Sequence, residues 1–247
     1  MKKITTLLIV AAMMLAGGQM FAQTNVYLNL SGAFPTGDFA DGDEHDWGLL
    51  TEDDEGGAGI GFGVGLKFKF ATGVNGLSAL FMFDGIYNGP NSDIRDLISD
   101  VIDAGEDNYK EYSLITPKHI NIPLMGGVNY TYNFNPKFGL FAEAGLGPDL
   151  HIITKYEEYR ESASYKRTST LEYDPQISLA YQLGAGIELG KRVTIGINYY
   201  NLGRAKVKGK ESYKVKYNSG GSDSDSEKFS LKRITPTMVM VRIGFKL

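Results

Sequence analysis

Few residues in this chain combine the types and spacing that chemistry needs. Asp149 and His151 stand two apart, as an acid orienting a general base would, yet no recognisable motif ties a serine, a second histidine or a further acid to them. Gly59, Gly61, Gly63 and Gly65 repeat the G-x-G spacing of a phosphate-cradling loop. That loop requires a strand-to-helix turn, whereas these glycines alternate with Ile60, Phe62 and Val64 inside one continuous pattern. Asp41–Asp46 reads DGDEHD and gathers acids as a calcium loop does, but His45 occupies the third ligand position and the distal glutamate is missing. The 247 residues include no cysteine, which removes thiol nucleophiles, disulfides and thiolate-bound metals. The chain is therefore expected to be no enzyme, with no catalytic, cofactor or metal-ligating residues.

The elements that would position these side chains are β-strands of one kind. From Gly59 to Phe70 the even positions are Ile60, Phe62, Val64, Leu66, Phe68 and Phe70, and the odd positions hold only glycine, Lys67 and Lys69. The same period of two recurs in Asn25–Phe34, Leu77–Tyr87, Ile120–Tyr132, Phe138–Ile153, Ile177–Leu189, Val193–Lys208 and Leu231–Leu247. Each of the eight runs reaches the ~9–11 residues that a tilted strand needs to cross a bilayer. Their connections alternate: Pro35–Gly57, Asn88–Tyr112, Thr154–Asp174 and Gly209–Ser230 are long, and Ala71–Gly76, Asn133–Lys137 and Gly190–Arg192 are short. Hydrocarbon offers no partner to backbone N–H and C=O groups, so a sheet there must close on itself. The expectation is an all-β fold, a closed antiparallel eight-stranded up-and-down transmembrane β-barrel with a short helix in the second extracellular loop. That helix is read from Ile94, Leu97, Ile98, Val101 and Ile102, spaced i, i+3, i+4, i+7, i+8.

Met1–Ala22 carries Lys2 and Lys3, an apolar run from Ile4 to Leu15, and small residues before Gln23. It reads as a secretory signal peptide, leaving 23–247 as one barrel domain. The location expected is the outer membrane of a Gram-negative bacterium, with both termini periplasmic and the long loops outside.

Two stretches carry a further resemblance. HINIPLMGGVNYTYN (His119–Asn133) and FGLFAEAGLGPDL (Phe138–Leu150), with FAQ closing the leader and VMVRIGFKL ending the chain, resemble the outer-membrane β-barrel family abundant in Bacteroidota, often labelled PorT-like. More distantly the chain is similar to small eight-stranded OmpA-type barrels. The resemblance spans the mature chain and implies no shared catalytic residue. It implies passage through the barrel-assembly machinery, and the chain ends on Leu247 rather than an aromatic, with Phe245 as substitute.

Strand parity also predicts what fills an interior only wide enough for side chains. Lys67, Lys69, Asp84, Glu143, Asp149, His151, Gln182, Glu188, Asn198, Arg242 and Lys246 fall on the inward phase. Buried charges must pair, so Lys67, Lys69, Asp84, Glu143, Glu188 and Arg242 are expected to form a structural lumen network. The function expected is a plugged barrel that presents four extracellular loops, for envelope integrity, adhesion or ligand contact. The alternatives are a small gated conduit or transport-accessory protein and, behind it, a barrel enzyme acting on lipid or peptide. Outer-membrane lipid and lipopolysaccharide are the partners expected, with an unidentified extracellular ligand, no nucleic acid, and a monomeric state. The first long loop holds nine acids and no Lys or Arg, whereas Gly203–Ser230 carries a net charge of +3. Closure of the barrel sets the two side by side, and they are expected to neutralise one another in preference to lipopolysaccharide phosphates or outside polyanions.

Overall fold

The computed structural model describes residues 24–41 and 57–247. The leader read at 1–22 and most of the acidic first loop, His45 included, lie outside the described residues. In chain order the strands are β1 (Thr24–Pro35), β2 (Ala58–Ala71) and β3 (Leu77–Pro90), then helix α1 (Ser92–Asn108). There follow β4 (Glu111–Ile115), β5 (His119–Asn135), β6 (Phe138–Ile153), β7 (Tyr156–Glu161), β8 (Tyr165–Tyr173) and β9 (Gln176–Leu189). The chain finishes with β10 (Val193–Asn201), β11 (Ala205–Tyr217), β12 (Ser222–Ile234) and β13 (Thr237–Lys246).

Eight of these close a barrel in the order β1-β13-β10-β9-β6-β5-β3-β2, antiparallel throughout. The register follows the sequence pattern: Val64 pairs with Leu30 on one side and Gly85 on the other, and Arg242 with Ser31 and Gly196. The outer face is apolar, with Phe62, Val64, Val128, Leu146, Leu183 and Ile197 all exposed. Tyr130, Tyr132 and Phe134 form an aromatic group at the short-turn end. Tight reversals occupy the predicted short connections, and left-handed backbone at Gly190 (φ 56°) and Lys191 (φ 56°) closes the third.

The remaining five strands make a second sheet, ordered β12-β11-β8-β7-β4. This order copies the run β13-β10-β9-β6-β5 of the barrel, because each strand of the second sheet is joined end to end in the chain with its counterpart. The second sheet is thus the barrel wall continued beyond its rim over five of the eight strands. Proline marks three of the five breaks: Pro117 before β5, Pro175 before β9 and Pro236 before β13. Proline has no N–H to give the ladder, so the sheet is interrupted there and resumes at a new angle.

This continuation corrects the sequence reading in several places. Two of the long connections, Thr154–Asp174 and Gly209–Ser230, are largely strand. Val193–Lys208 is two strands parted at Gly203, whose φ of 81° reverses the inside–outside phase. Leu231–Leu247 is likewise divided, at Thr235 and Pro236. The serine-rich segment after Gly221 is the start of β12, paired with β11 from Lys216↔Ser222 onward. The helix is present and longer than its apolar spacing indicated. Of its predicted apolar face, the side chains of Ile94, Leu97, Ile98 and Val101 lie outside the described set.

Candidate functional site

Among the described residues, three ion pairs cross the lumen at successive levels. Nearest the short turns, Lys69 Nζ lies 3.0 Å from Glu188 Oε2 and donates to Thr131 Oγ1 at 3.3 Å. At mid-height Lys67 Nζ bridges both oxygens of Glu143, at 3.2 and 2.9 Å. Higher up, Arg242 Nη2 lies 3.1 Å from Asp84 Oδ2, and the Tyr200 hydroxyl donates to the same oxygen at 2.8 Å. Asp84, Glu143 and all three cations are almost fully buried. Each cation also faces an aromatic ring: Lys69 over Tyr27, Lys67 over Phe141 and Arg242 over Tyr200, 5.0–5.6 Å from the centroids.

Glu143 is the hub of the middle level. Besides Lys67 it accepts from Asn129 Nδ2 at 3.2 Å and from Asn198 Nδ2 at 2.9 Å, and Asn198 also donates to Gln182 at 2.8 Å. A desolvated carboxylate is stable only with its lone pairs met in this way. Glycines on the inward phase leave room for it. A Cβ on Gly184 would meet Asn198 Nδ2 at 2.0 Å, and one on Gly65 would meet Asp84 Oδ1 at 1.9 Å. The glycine alternation of β2 is therefore a space requirement of the lumen.

Lys246, read as inward, is exposed at the short-turn end. Asp149 and His151 are both buried but do not bond to one another. His151 Nε2 instead approaches His119 Nδ1 at 3.1 Å, and Phe39 sets its edge against both rings, with centroids 5.1 and 6.5 Å away. Phe39 comes from the 3-10 turn Gly37–Phe39 that follows β1, and it is wholly buried. Around it Leu202, Val207, Ile234 and Met238 form an apolar layer at the long-loop mouth. Sequence reasoning missed Phe39, Tyr27, Tyr200 and Asn129. Parity alone would have turned Tyr200 inward with Asn198 and Asn129 inward with Thr131; a single phenylalanine in a loop leaves no such mark.

The wall extension has a concave face, continuous with the lumen, and a convex one. On the concave side Tyr112 donates to Glu158 at 2.8 Å, and the Tyr109 ring stacks on Tyr112 where α1 rests on β4. Burial pushes the Tyr112 phenol above its usual range, and the bond to Glu158 adds to the shift. Tyr156 is pushed up to about 12, chiefly by burial and then by the Glu158 charge. Arg160 pairs with Glu158 and covers the Tyr109 ring.

β11 and β12 sort charge by face. Directly paired residues share a face, and the register sets Lys210 against Lys228, Ser212 against Ser226, and Glu211 against Glu227. Lys206, Lys208, Lys210, Lys214, Lys216 and Lys228 consequently lie on the convex face, and Glu211, Asp223, Asp225 and Glu227 on the concave one. Val207 and Gly209, between the first three lysines, are buried, which fixes the sidedness. Further along the same strands an open groove of about 580 Å³ is lined by Thr168, Thr170, Ser212, Lys214, Ser224 and Ser226, with Tyr213 and Asp225.

A family model described as outer membrane protein beta-barrel domain matches residues 7–222. No curated protein matches the sequence significantly. Among solved structures, a major outer membrane protein from Thermus thermophilus is similar at 11% identity, covering 91% of this chain and 99% of that one, with a TM-score of 0.44. Ail, the attachment invasion locus protein of Yersinia pestis, is 11% identical over 92% of this chain and all of that one, TM-score 0.41. OprG from Pseudomonas aeruginosa is 12% identical over 92% and 97%, TM-score 0.41.

Proposed function

Because the chain belongs to the outer membrane protein β-barrel domain family, we propose that it is a plugged barrel of the type abundant in Bacteroidota, whose work is done by the sheet carried beyond its rim. The lumen is filled by three ion pairs and a phenylalanine stopper, so it serves as a rigid pedestal, not a path. The observation that carries this reading is the order of the second sheet: five neighbouring barrel strands extend as one surface, which a mere set of loop connections would not do. A sheet of this kind holds its side chains in a fixed array, suited to contact with molecules outside the cell or to bracing the envelope. The barrel is oriented with both termini in the periplasm and acts as a monomer.

Epitope tags test the orientation. One inserted between Asn218 and Gly221, the turn joining β11 and β12, is expected to be labelled by antibody on intact cells. One inserted at Asn135–Lys137 is expected to be labelled only after the outer membrane is permeabilised. Labelling of the second site on intact cells contradicts the proposal.

A further inference from the structure

The five-stranded extension ends in two edges that are finished differently. At one end β4 offers five residues and carries α1, whose Gly105 sits so close on the Tyr112 ring that a Cβ would meet it at 2.4 Å. At the other end stands β12, thirteen residues long. In the barrel below, β1 pairs with β13 as far as Pro35↔Met238 and then turns inward as the Phe39 stopper. β12 therefore rises with β11 on one side and, among the described residues, no strand on the other. Ser222–Lys228 is exposed at every position, spans about 20 Å, and pairs with β11 without a bulge or a proline. The outer N–H and C=O groups of such an edge form a row ready to bond another strand. Ser226 N–H donates to the Asp225 carboxylate at 2.7 Å, a local bond in place of one to a neighbouring strand.

The side chains of that edge select what is added. Asp223, Asp225 and Glu227 follow one another along the concave side with only serines between them, and Glu227 faces Glu211 across the strands. Like charges set directly opposite repel. No ion pair reaches these four acids among the described residues. Arg167, on the same face of β8, lies beyond β11 and opposite Val215, where it covers the Tyr213 ring and donates to Ser169 Oγ at 3.2 Å. Residues 42–56, between β1 and β2 in the chain, contain no Lys or Arg. A second copy of β12 laid on the edge would set acid against acid. We propose that Ser222–Lys228 is a strand-addition site for an extended polypeptide carrying Lys or Arg at every second position, its cations beside Asp223, Asp225 and Glu227. Main-chain bonds along the edge supply the affinity, and the row of acids supplies the selection.

This site rests on the reading that the sheet beyond the rim does the work, and its test is independent of orientation, because both ends of a barrel in a nanodisc meet solvent. The full chain in zwitterionic nanodiscs is titrated at physiological salt with three fluorescent nine-residue peptides, and anisotropy gives each Kd. One peptide alternates threonine and lysine, one has the same composition with its lysines in a block, and one is the alternating peptide with its backbone amides N-methylated. Each opposite-charge pair across strands favours pairing by up to about fivefold, so the wild type is expected to bind the alternating peptide at least tenfold more tightly than either of the others. Asp223→Asn, Asp225→Asn and Glu227→Gln together are expected to abolish the preference over the block peptide. Asp103→Asn with Glu106→Gln, acids of α1, should leave it within twofold. All five side chains are exposed, so circular dichroism of each variant should match the wild type. Equal binding of the block peptide overturns the proposal and leaves a diffuse acidic mouth, and equal binding of the methylated peptide overturns it because no strand can then have been added. A wild type that binds none of the three, or that forms dimers through β12, overturns it too, and the dimer assigns the edge to a second copy of this chain.

Discussion

Replacing Glu143 by leucine is expected to destabilise the barrel by about 3–5 kcal/mol, the cost of removing one member of a buried ion pair. The substitution leaves the Lys67 ammonium, almost wholly buried, without its carboxylate, and strips Asn129 of its acceptor and Asn198 of one of its two. A double variant, Lys67→Met with Glu143→Leu, should recover most of the loss, because a well-packed apolar pair commonly replaces a buried ion pair at little cost. Urea titration of the protein in detergent, followed by circular dichroism, measures both. A single variant within about 1 kcal/mol of wild type contradicts the assignment of Glu143 as the hub, as does a double variant no more stable than the single.

The second large effect belongs to the opposite face of the same strand pattern. Val64 is half exposed near the middle of β2, between Leu30 and Gly85 of the neighbouring strands. Val64→Lys places an ammonium close to the bilayer midplane, at a cost of about 2–4 kcal/mol. It is expected to reduce the folded fraction on insertion into liposomes. Thr72→Lys, in the first short turn, places the same charge at the interface and should insert as the wild type does. Equal insertion of the Val64 variant would mean that β2 turns its other face to lipid.

The period of two made the barrel legible because lipid and lumen make opposite demands on alternate residues, and no strand of this barrel escapes both. The same parity sets Lys67, Lys69, Glu143 and Arg242 on the glycine phase. Their pairing was not legible. Partners meet across the lumen from strands three or four positions apart in the barrel, separated by 76 residues for Lys67 and Glu143 and by 119 for Lys69 and Glu188. Such meetings depend on tilt and stagger, which no local pattern encodes. The wall extension was half visible. The lysine alternation of β11 announces a strand, but β4 and β7 are short and lie between water on one side and a polar concavity on the other, so apolar alternation fades. Pro117, Pro175 and Pro236 were the overlooked signal, each marking where a barrel strand begins below its extension.

The central claim, a barrel closed by its own side chains that works through its outer surface, is tested most directly by electrical recording. Purified protein reconstituted into planar lipid bilayers should give no discrete single-channel steps in symmetric salt under applied voltage. Membrane insertion is verified on the same preparation by protease protection of the strands. Reproducible steps of one unit size from inserted protein would contradict the account, because they would show that ions pass the Lys67–Glu143 and Arg242–Asp84 levels, and the chain would then be a conduit.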